Sequence, residues 1–218
     1  MTKSVAVILS GCGVYDGAEI NESVLTLLAL EEQGIAYQCF APDINQYHVI
    51  NHLTGETVKE VRNVLNESAR IVRGNVKALS TCNASEFVAV VIPGGFGVVK
   101  NLSNFAFKGT DAEINAELLS VLREFINVKK LVAAMCIAPA LLPKIYGRRI
   151  ALTVGSDEET ASAINKMGGE HVNATVSEVV FDEVNQLLTT PAYMLAKNIV
   201  EAKSGIDALI THLAKIIK

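Results

Sequence analysis

At 218 residues, half of them hydrophobic and 19% charged, the chain is long enough to bury a substantial core, and its composition excludes disorder. A formal net charge of −4 with no local Lys/Arg run lacks the footprint of a nucleic-acid binder, so no nucleic-acid partner is expected. The four cysteines, Cys12, Cys39, Cys82 and Cys136, show neither C-x-x-C spacing nor adjoining histidines, which argues against a structural zinc site or a disulfide framework and predicts no metal.

Ser4 to Leu9 is a β-branched, nearly all-apolar run closed by Ser10-Gly11-Cys12-Gly13, the pattern of a parallel strand buried on both faces. It starts almost at the first residue and leaves no presequence, and no apolar run approaches the ~18 residues of a membrane span. A reducing cytoplasm with no membrane partner is therefore expected. From Ala18 to Gln33, Val24, Leu25, Leu27, Leu28 and Leu30 recur at helical spacing until Gly34, and Ala36 to Phe40 reads as a second strand. Together they form a βαβ unit.

Pro42 to Arg73 is less regular, with a strand expected near Tyr47 to Ile50 and an amphipathic helix from about Asn63 to Val72. Phe87 to Ile92 is the next buried strand, and Pro93-Gly94-Gly95-Phe96-Gly97 after it permits close backbone approach to a ligand. A helix is predicted over Asp111 to Asn127, then a buried strand from Leu131 to Met135 whose carboxyl end carries Cys136. Ile150 to Val154, a helix over Asp157 to Met167 and a β pattern from Val176 to Thr190 around Glu183-Val184-Asn185 continue the alternation. Pro191 is read as opening a long final helix whose stripe runs through Leu195, Ile199, Ala202, Ile206, Leu209, Leu213 and Ile216. Without repeats or low-complexity linkers, residues 1–218 read as one α/β domain built on a mostly parallel sheet.

Ligands of such sheets bind beyond the carboxyl ends of the strands. Gly11-Cys12-Gly13, Pro93 to Gly97 and Cys136 all fall there. Cys136 ends an apolar strand, and small residues with Pro139 then begin a helix, so free amides and the helix dipole are expected to favour a thiolate. The adjacent amides of Gly94 and Gly95, with that of Ile137, are candidates for an oxyanion hole. Glu19 and Glu22 share one face near the start of the first helix, and either can point into the site or simply stabilise the helix end. A carboxyl hydrogen-bonded to Cys136 is expected to be protonated by desolvation and able to shuttle a proton. Cys12 as a resolving thiol, and Lys100, Asn101 and Asn104 as polar substrate contacts, complete the candidates. His48, His52, His171 and His212 are scattered, and none adjoins Cys136.

Five blocks carry a family resemblance: VILSGCGVYDGAEINE (Val7 to Glu22), VINHLTGE (Val49 to Glu56), PGGFGVVKNLSNFA (Pro93 to Ala106), MCIAPALLPKI (Met135 to Ile145) and TTPAYMLAKNI (Thr189 to Ile199). They resemble the superfamily of the Parkinsonism-associated deglycase, the PfpI-type proteases and the class I glutamine amidotransferase domains. Within it they look most like the ElbB group of isoprenoid-biosynthesis or enhancing-lycopene-biosynthesis proteins, also described as glyoxalases. The resemblance implies a flavodoxin-like three-layer sandwich with helices on both sheet faces, and a homodimer. It carries the elbow cysteine to Cys136, the helix-borne acid to Glu22 and the oxyanion amides to Gly95 and Ile137. Where many relatives continue C-H-G or C-A-G, this chain has Cys136-Ile137-Ala138-Pro139, and no residues match an amidotransferase His-x-Glu pair, so glutaminase activity is not expected.

The resemblance implies a cofactor-independent glyoxalase that converts a small 2-oxoaldehyde such as methylglyoxal to a 2-hydroxy acid through a hemithioacetal on Cys136. The alternative from another class is a non-enzymatic thiol sensor or regulator in which oxidation of Cys136 changes a partner interaction.

Overall fold

The computed structural model describes residues 3–217. The apolar runs become β1 (Ser4–Ile8), β2 (Ala36–Ala41), β4 (Ala89–Ile92), β5 (Leu131–Met135) and β9 (Leu187–Thr190), joined at one edge by the short β3 (Val76–Ala78) and at the other by β8 (Val180–Asp182). Their order across the sheet is β3-β2-β1-β4-β5-β9-β8, parallel throughout except for the hairpin partner β8. After β1 the chain builds outward to β2 and β3, then returns to lay β4 on the other side of β1. The β1–β4 boundary is thus the switch point of a flavodoxin-like sheet, where diverging loops leave a crevice.

Strand residues alternate between two cores, which is why these runs are continuously apolar rather than amphipathic. Val5, Val7, Ala89, Val91, Leu131, Ala133 and Met135 face one side, covered by α1 (Ile20–Glu32) and α8 (Ile199–Ile217). Ala6, Ile8, Val90, Ile92, Val132 and Ala134 face the other, covered by α5 (Ala116–Asn127), α6 (Leu142–Tyr146) and α7 (Glu158–Lys166). On α8 the side chains of Ile206, Leu209 and Leu213 are fully buried, each contributing roughly 1.5–3 kcal/mol. The expected three-layer architecture is present.

Local chemistry explains where the elements stop. Glu19 caps α1 by accepting the N–H of Glu22, and Gly34, at φ +67°, ends the helix. Asn115 and Asp157 cap α5 and α7, and α2 (Val64–Ile71) is capped by Asn63, within the segment read as helical. The remaining short helices, α3 (Phe96–Lys100) and α4 (Phe105–Lys108), follow the glycine loop.

Four readings are corrected. Tyr47 to Ile50 forms no strand; the excursion is held by isolated bridges, Asn45 with Asn63 and Ile50 with Thr57. Residues 151–152 form β6 (Ala151–Leu152), which pairs only with β7 (Glu170–His171) in a separate small sheet. The helix expected from Asp111 begins at Ala116, because Gly109–Asp111 is a 3-10 turn and Asn115 supplies the cap. The final helix starts at Ile199, not Pro191: Ala192 takes φ +44°, which breaks helical continuation, and Leu195 packs beneath Gly155 instead of joining the stripe.

Candidate active site

The loops after β1, β4 and β5 converge beside the switch point, and Cys136 stands among them. Its φ of +60° is a strained conformation for a side-chain-bearing residue, held by its N–H donating to Thr190 O on the neighbouring strand (3.1 Å). The turn swings the thiol away from the strand axis toward the loop after β4. There Gly94 is obligatory: a Cβ on it would lie 2.4 Å from Cys136 Cβ and 2.7 Å from both Cys136 Sγ and Glu22 Oε2.

Glu22 projects from the first turn of α1 into this contact and has no exposed surface. The Gly94 N–H donates to its Oε2 (2.8 Å), the Tyr193 N–H donates to its Oε1 (3.1 Å), and the Cys136 thiol is its third partner. Burial lifts its carboxyl from 4.5 to about 7, against the opposing pull of the Tyr193 amide. With its pKa at about 7, Glu22 populates both the protonated and the ionised form at neutral pH, and desolvation shifts it in the direction expected for a carboxyl beside the thiol.

Burial likewise pushes the Cys136 thiol well up, the neighbouring Glu22 charge adds to it, and the N–H groups of Gly95 and Ile137, aimed at the sulfur, pull the other way. This corrects the expectation of a dipole-stabilised thiolate. The residues after Cys136 form a 3-10 turn (Ala138–Leu141) leading into the five-residue α6, so no long helix directs its dipole at the sulfur. The oxyanion trio is also reduced: the Gly94 N–H is committed to Glu22, leaving Gly95 and Ile137 as the amides at the sulfur.

Cys136 opens onto a cavity of about 480 Å³ lined by Val14, Glu19, Phe96, Val99, Phe105 and Ile137, and closed by Asp157, Glu159, Thr160, Tyr193 and Met194. Glu19 therefore lies at the site, but its carboxylate oxygen caps the Glu22 N–H (2.6 Å), and burial raises its pKa.

The other polar candidates do not line the cavity. Asn101 is buried, donating from Nδ2 to Ser10 O and Asp16 O and accepting the Tyr47 N–H. Lys100 donates to Tyr15 O (2.8 Å) and lies 5.2 Å from the Phe96 ring centroid. Both clamp the loop after β1 rather than face a substrate. Asn104 is spent on the Glu113 N–H, and Cys12 sits within the field of Glu67, Arg70, Asp16 and Arg62. His171 accepts the Val154 N–H and does not line the cavity either.

Sequence reasoning missed Tyr193, whose amide fixes Glu22 and whose hydroxyl accepts from Asn21 Nδ2 (3.2 Å). It also missed the N-terminus of α7. No side chain in Pro191-Ala192-Tyr193 signals that the helix does not start there, and the apolar stripe that follows favours the helical reading.

The chain resembles known proteins at different depths. The chain is 41% identical over 222 residues to the rat ES1 protein homolog, mitochondrial, with 97% of this chain and 83% of that protein aligned. It is also 41% identical to the human glutamine amidotransferase-like class 1 domain-containing protein 3, mitochondrial, covering 97% and 82%. The crystal structure of an isoprenoid biosynthesis protein with amidotransferase-like domain from Ehrlichia chaffeensis superposes with a TM-score of 0.91 at 39% identity, over 98% of this chain and 99% of that one. Drosophila DJ-1beta, 18% identical with a TM-score of 0.54 over 100% and 96% of the chains, shares the fold alone. The match to the DJ-1/PfpI family extends over residues 4–191, from β1 through the elbow to the strand behind it, and the chain belongs to that family.

Proposed function

We propose that this protein is a cofactor-independent glyoxalase, acting on small 2-oxoaldehydes such as methylglyoxal. The observation that carries the reading is the buried Cys136–Glu22 pair, with Cys136 lining a cavity and an acid whose pKa of about 7 suits proton transfer in both directions. In the first step Glu22 carboxylate takes the thiol proton as sulfur adds to the aldehyde carbon, and the proton passes to the new alkoxide to give a hemithioacetal. Glu22 then removes the C1 proton and returns a proton to C2 through an enediol, leaving the thioester of a 2-hydroxy acid. Water cleaves the thioester, restoring the thiol and releasing the hydroxy acid. One water is consumed and no external oxidant or reductant is needed, because C1 is oxidised as C2 is reduced. The Gly95 and Ile137 amides would steady the oxyanion next to sulfur.

Membership of a family that includes deglycases, glyoxalases and regulatory proteins supports the reading. The sensor alternative asks for a standing thiolate, and burial opposes one. No histidine is among the described residues lining the cavity, which supports the expectation that glutamine is not hydrolysed.

Placement in the ElbB group belongs to the same proposal: the Ehrlichia protein favours it, while the curated animal relatives are of ES1 type. A homodimer is supported by the exposed stripe Ile20, Val24 and Leu28 at helical spacing on α1. The animal relatives are named as mitochondrial, so a plain cytoplasmic assignment is replaced by a reducing compartment of either kind. None of the described helices is long and apolar enough to cross a membrane. The deciding experiment is product-resolved turnover of methylglyoxal by the wild type and Cys136→Ala. Lactate formation over many equivalents that vanishes in the variant supports the proposal, and stoichiometric aldehyde loss without lactate sinks it.

A further inference from the structure

The cavity above Cys136 has a one-sided charge. Its described lining contains three acids, Glu19, Asp157 and Glu159, and no Lys, Arg or His. Asp157 caps α7 by accepting the Thr160 N–H (2.8 Å), and the Thr160 side-chain hydroxyl, together with that N–H, holds its pKa below the usual carboxylate range. Glu159 stands two residues further along the same first turn. Phe105, Tyr193 and Met194 line the same cavity. Phe96 also lines the cavity, but the ammonium of Lys100 already lies over its ring. Carboxylates set against aromatic and thioether groups repel an anion and attract an organic cation, through charge and through the ring faces.

A second observation points the same way. Cys136 is buried beside an acid, with only two amides to stabilise negative charge on sulfur and no protein cation lining the cavity. A positive charge on the substrate would supply what the lining does not, stabilising the thiolate as it forms.

We propose that this site selects small carbonyl compounds bearing a protonated or quaternary amine, with the cationic end held between Asp157, Glu159 and Phe105 and the carbonyl carbon presented to Cys136. This rests on the reading that Cys136 adds to aldehydes, and it assigns Asp157 and Glu159 as specificity residues. Addition forms the S–C bond and moves the thiol proton to the carbonyl oxygen, while the amine takes no part.

Betaine aldehyde and 3,3-dimethylbutanal test it, being isosteres in which a quaternary nitrogen replaces a carbon; glyoxylate supplies the anionic case. Each is measured by protection of Cys136 from alkylation, normalised to its hemithioacetal equilibrium with 2-mercaptoethanol so that intrinsic electrophilicity cancels. A preference of about fivefold for the cation over its isostere is expected, the scale of a cation–π contact at a solvent-exposed site. Glyoxylate should protect least. The preference should shrink toward unity in Asp157→Asn with Glu159→Gln, where Asn preserves the cap, and should fall with added salt. Equal protection by the isosteres, or a preference that the double variant leaves intact, overturns the inference while leaving addition standing. Tetramethylammonium, followed through the Met194 methyl signal, separates the two readings. If no aldehyde protects Cys136 yet tetramethylammonium shifts Met194 in the wild type and not in the double variant, the addition reading fails and the cation site survives. No shift and no protection overturns both.

Discussion

Two cysteines sit just beyond the carboxyl ends of parallel strands, each followed by a turn and each near an acid. Around Cys136 the acid is Glu22, wholly buried, approached by two backbone amides and by no cation that the structure shows. Around Cys12 the acid is Glu67, whose carboxylate pairs with Arg70 (2.9 Å) and lies 3.8 Å from Arg62. The first carboxyl lacks a compensating charge, and burial lifts its pKa to about 7; the second is paired with arginine side chains. Space differs as well. Cys136 opens onto a cavity, whereas Gly17 is pressed against the Cys12 backbone, where a Cβ would lie 2.2 Å from Cys12 N. A strand-end position alone therefore does not set Cys136 apart from Cys12; an uncompensated buried acid with room beside the thiol does.

The largest effect that sharpens this contrast is on chemistry. Cys136→Ala should reduce methylglyoxal turnover by at least about a thousandfold, a loss near 4 kcal/mol in the barrier, while Cys12→Ala should change it less than about twofold. Steady-state lactate formation measures both. A comparable loss in Cys12→Ala would erase the distinction between the two regions.

The next effect is thermodynamic. A carboxyl at 4.5 when unfolded and about 7 when folded binds more protons in the native state between those values. Its favourable contribution is therefore complete below about pH 4.5 and is lost as pH rises through about 7, a swing on the order of 3 kcal/mol. Urea unfolding of wild type and Glu22→Gln at intervals from pH 4.5 to 8 should show the wild type losing ground to the variant across that window. Parallel curves would mean that burial does not raise the Glu22 pKa in the folded protein.

A smaller effect separates clamp from site. Asn101→Ala strips three buried hydrogen bonds and leaves Ser10 O, Asp16 O and Tyr47 N–H to find other partners, at a cost of about 2 kcal/mol. The midpoint of denaturation should fall accordingly, with the KM for methylglyoxal within about twofold of wild type. A tenfold rise in KM with unchanged stability would return Asn101 to the substrate.

The sheet was legible because strands buried on both faces must be apolar throughout, and β1, β4 and β5 are. The elbow was legible for the same reason: Cys136 is where LVAAM ends. Glu22 became specific only through the resemblance, since helical spacing alone places Glu19 and Glu22 on one face. What stayed hidden depends on contacts distant in sequence. Tyr193 reaches Glu22 through a backbone amide, which any residue type supplies, and its position follows from the left-handed Ala192 that no side chain announces. Asn101 and Lys100 look like ligand-binding groups beside a glycine loop, but the same donors serve equally to tie down the carbonyls of the loop opposite.

Lys100 provides the finest test of the comparison, because it is the cation nearest in kind to a substrate anchor. Its ammonium donates to Tyr15 O and lies over the Phe96 ring, which lines the cavity. Partial burial lowers its pKa, with Asp16 opposing the shift. Replacing it by methionine keeps the apolar stem against Phe96 and removes only the charge and one hydrogen bond, so stability should change by less than about 1 kcal/mol. Turnover of a neutral aldehyde should stay within about twofold, since Lys100 does not line the cavity and its hydrogen bond goes to Tyr15 O. If Lys100 instead steers anions to Cys136, Lys100→Met should slow addition of glyoxylate at least about tenfold while sparing methylglyoxal, and that selective loss should weaken with salt. A salt-sensitive loss confined to the anion would place Lys100 in the site, reverse the sign of its field, and remove the ground on which the Cys136 cavity and the clamped loop were told apart.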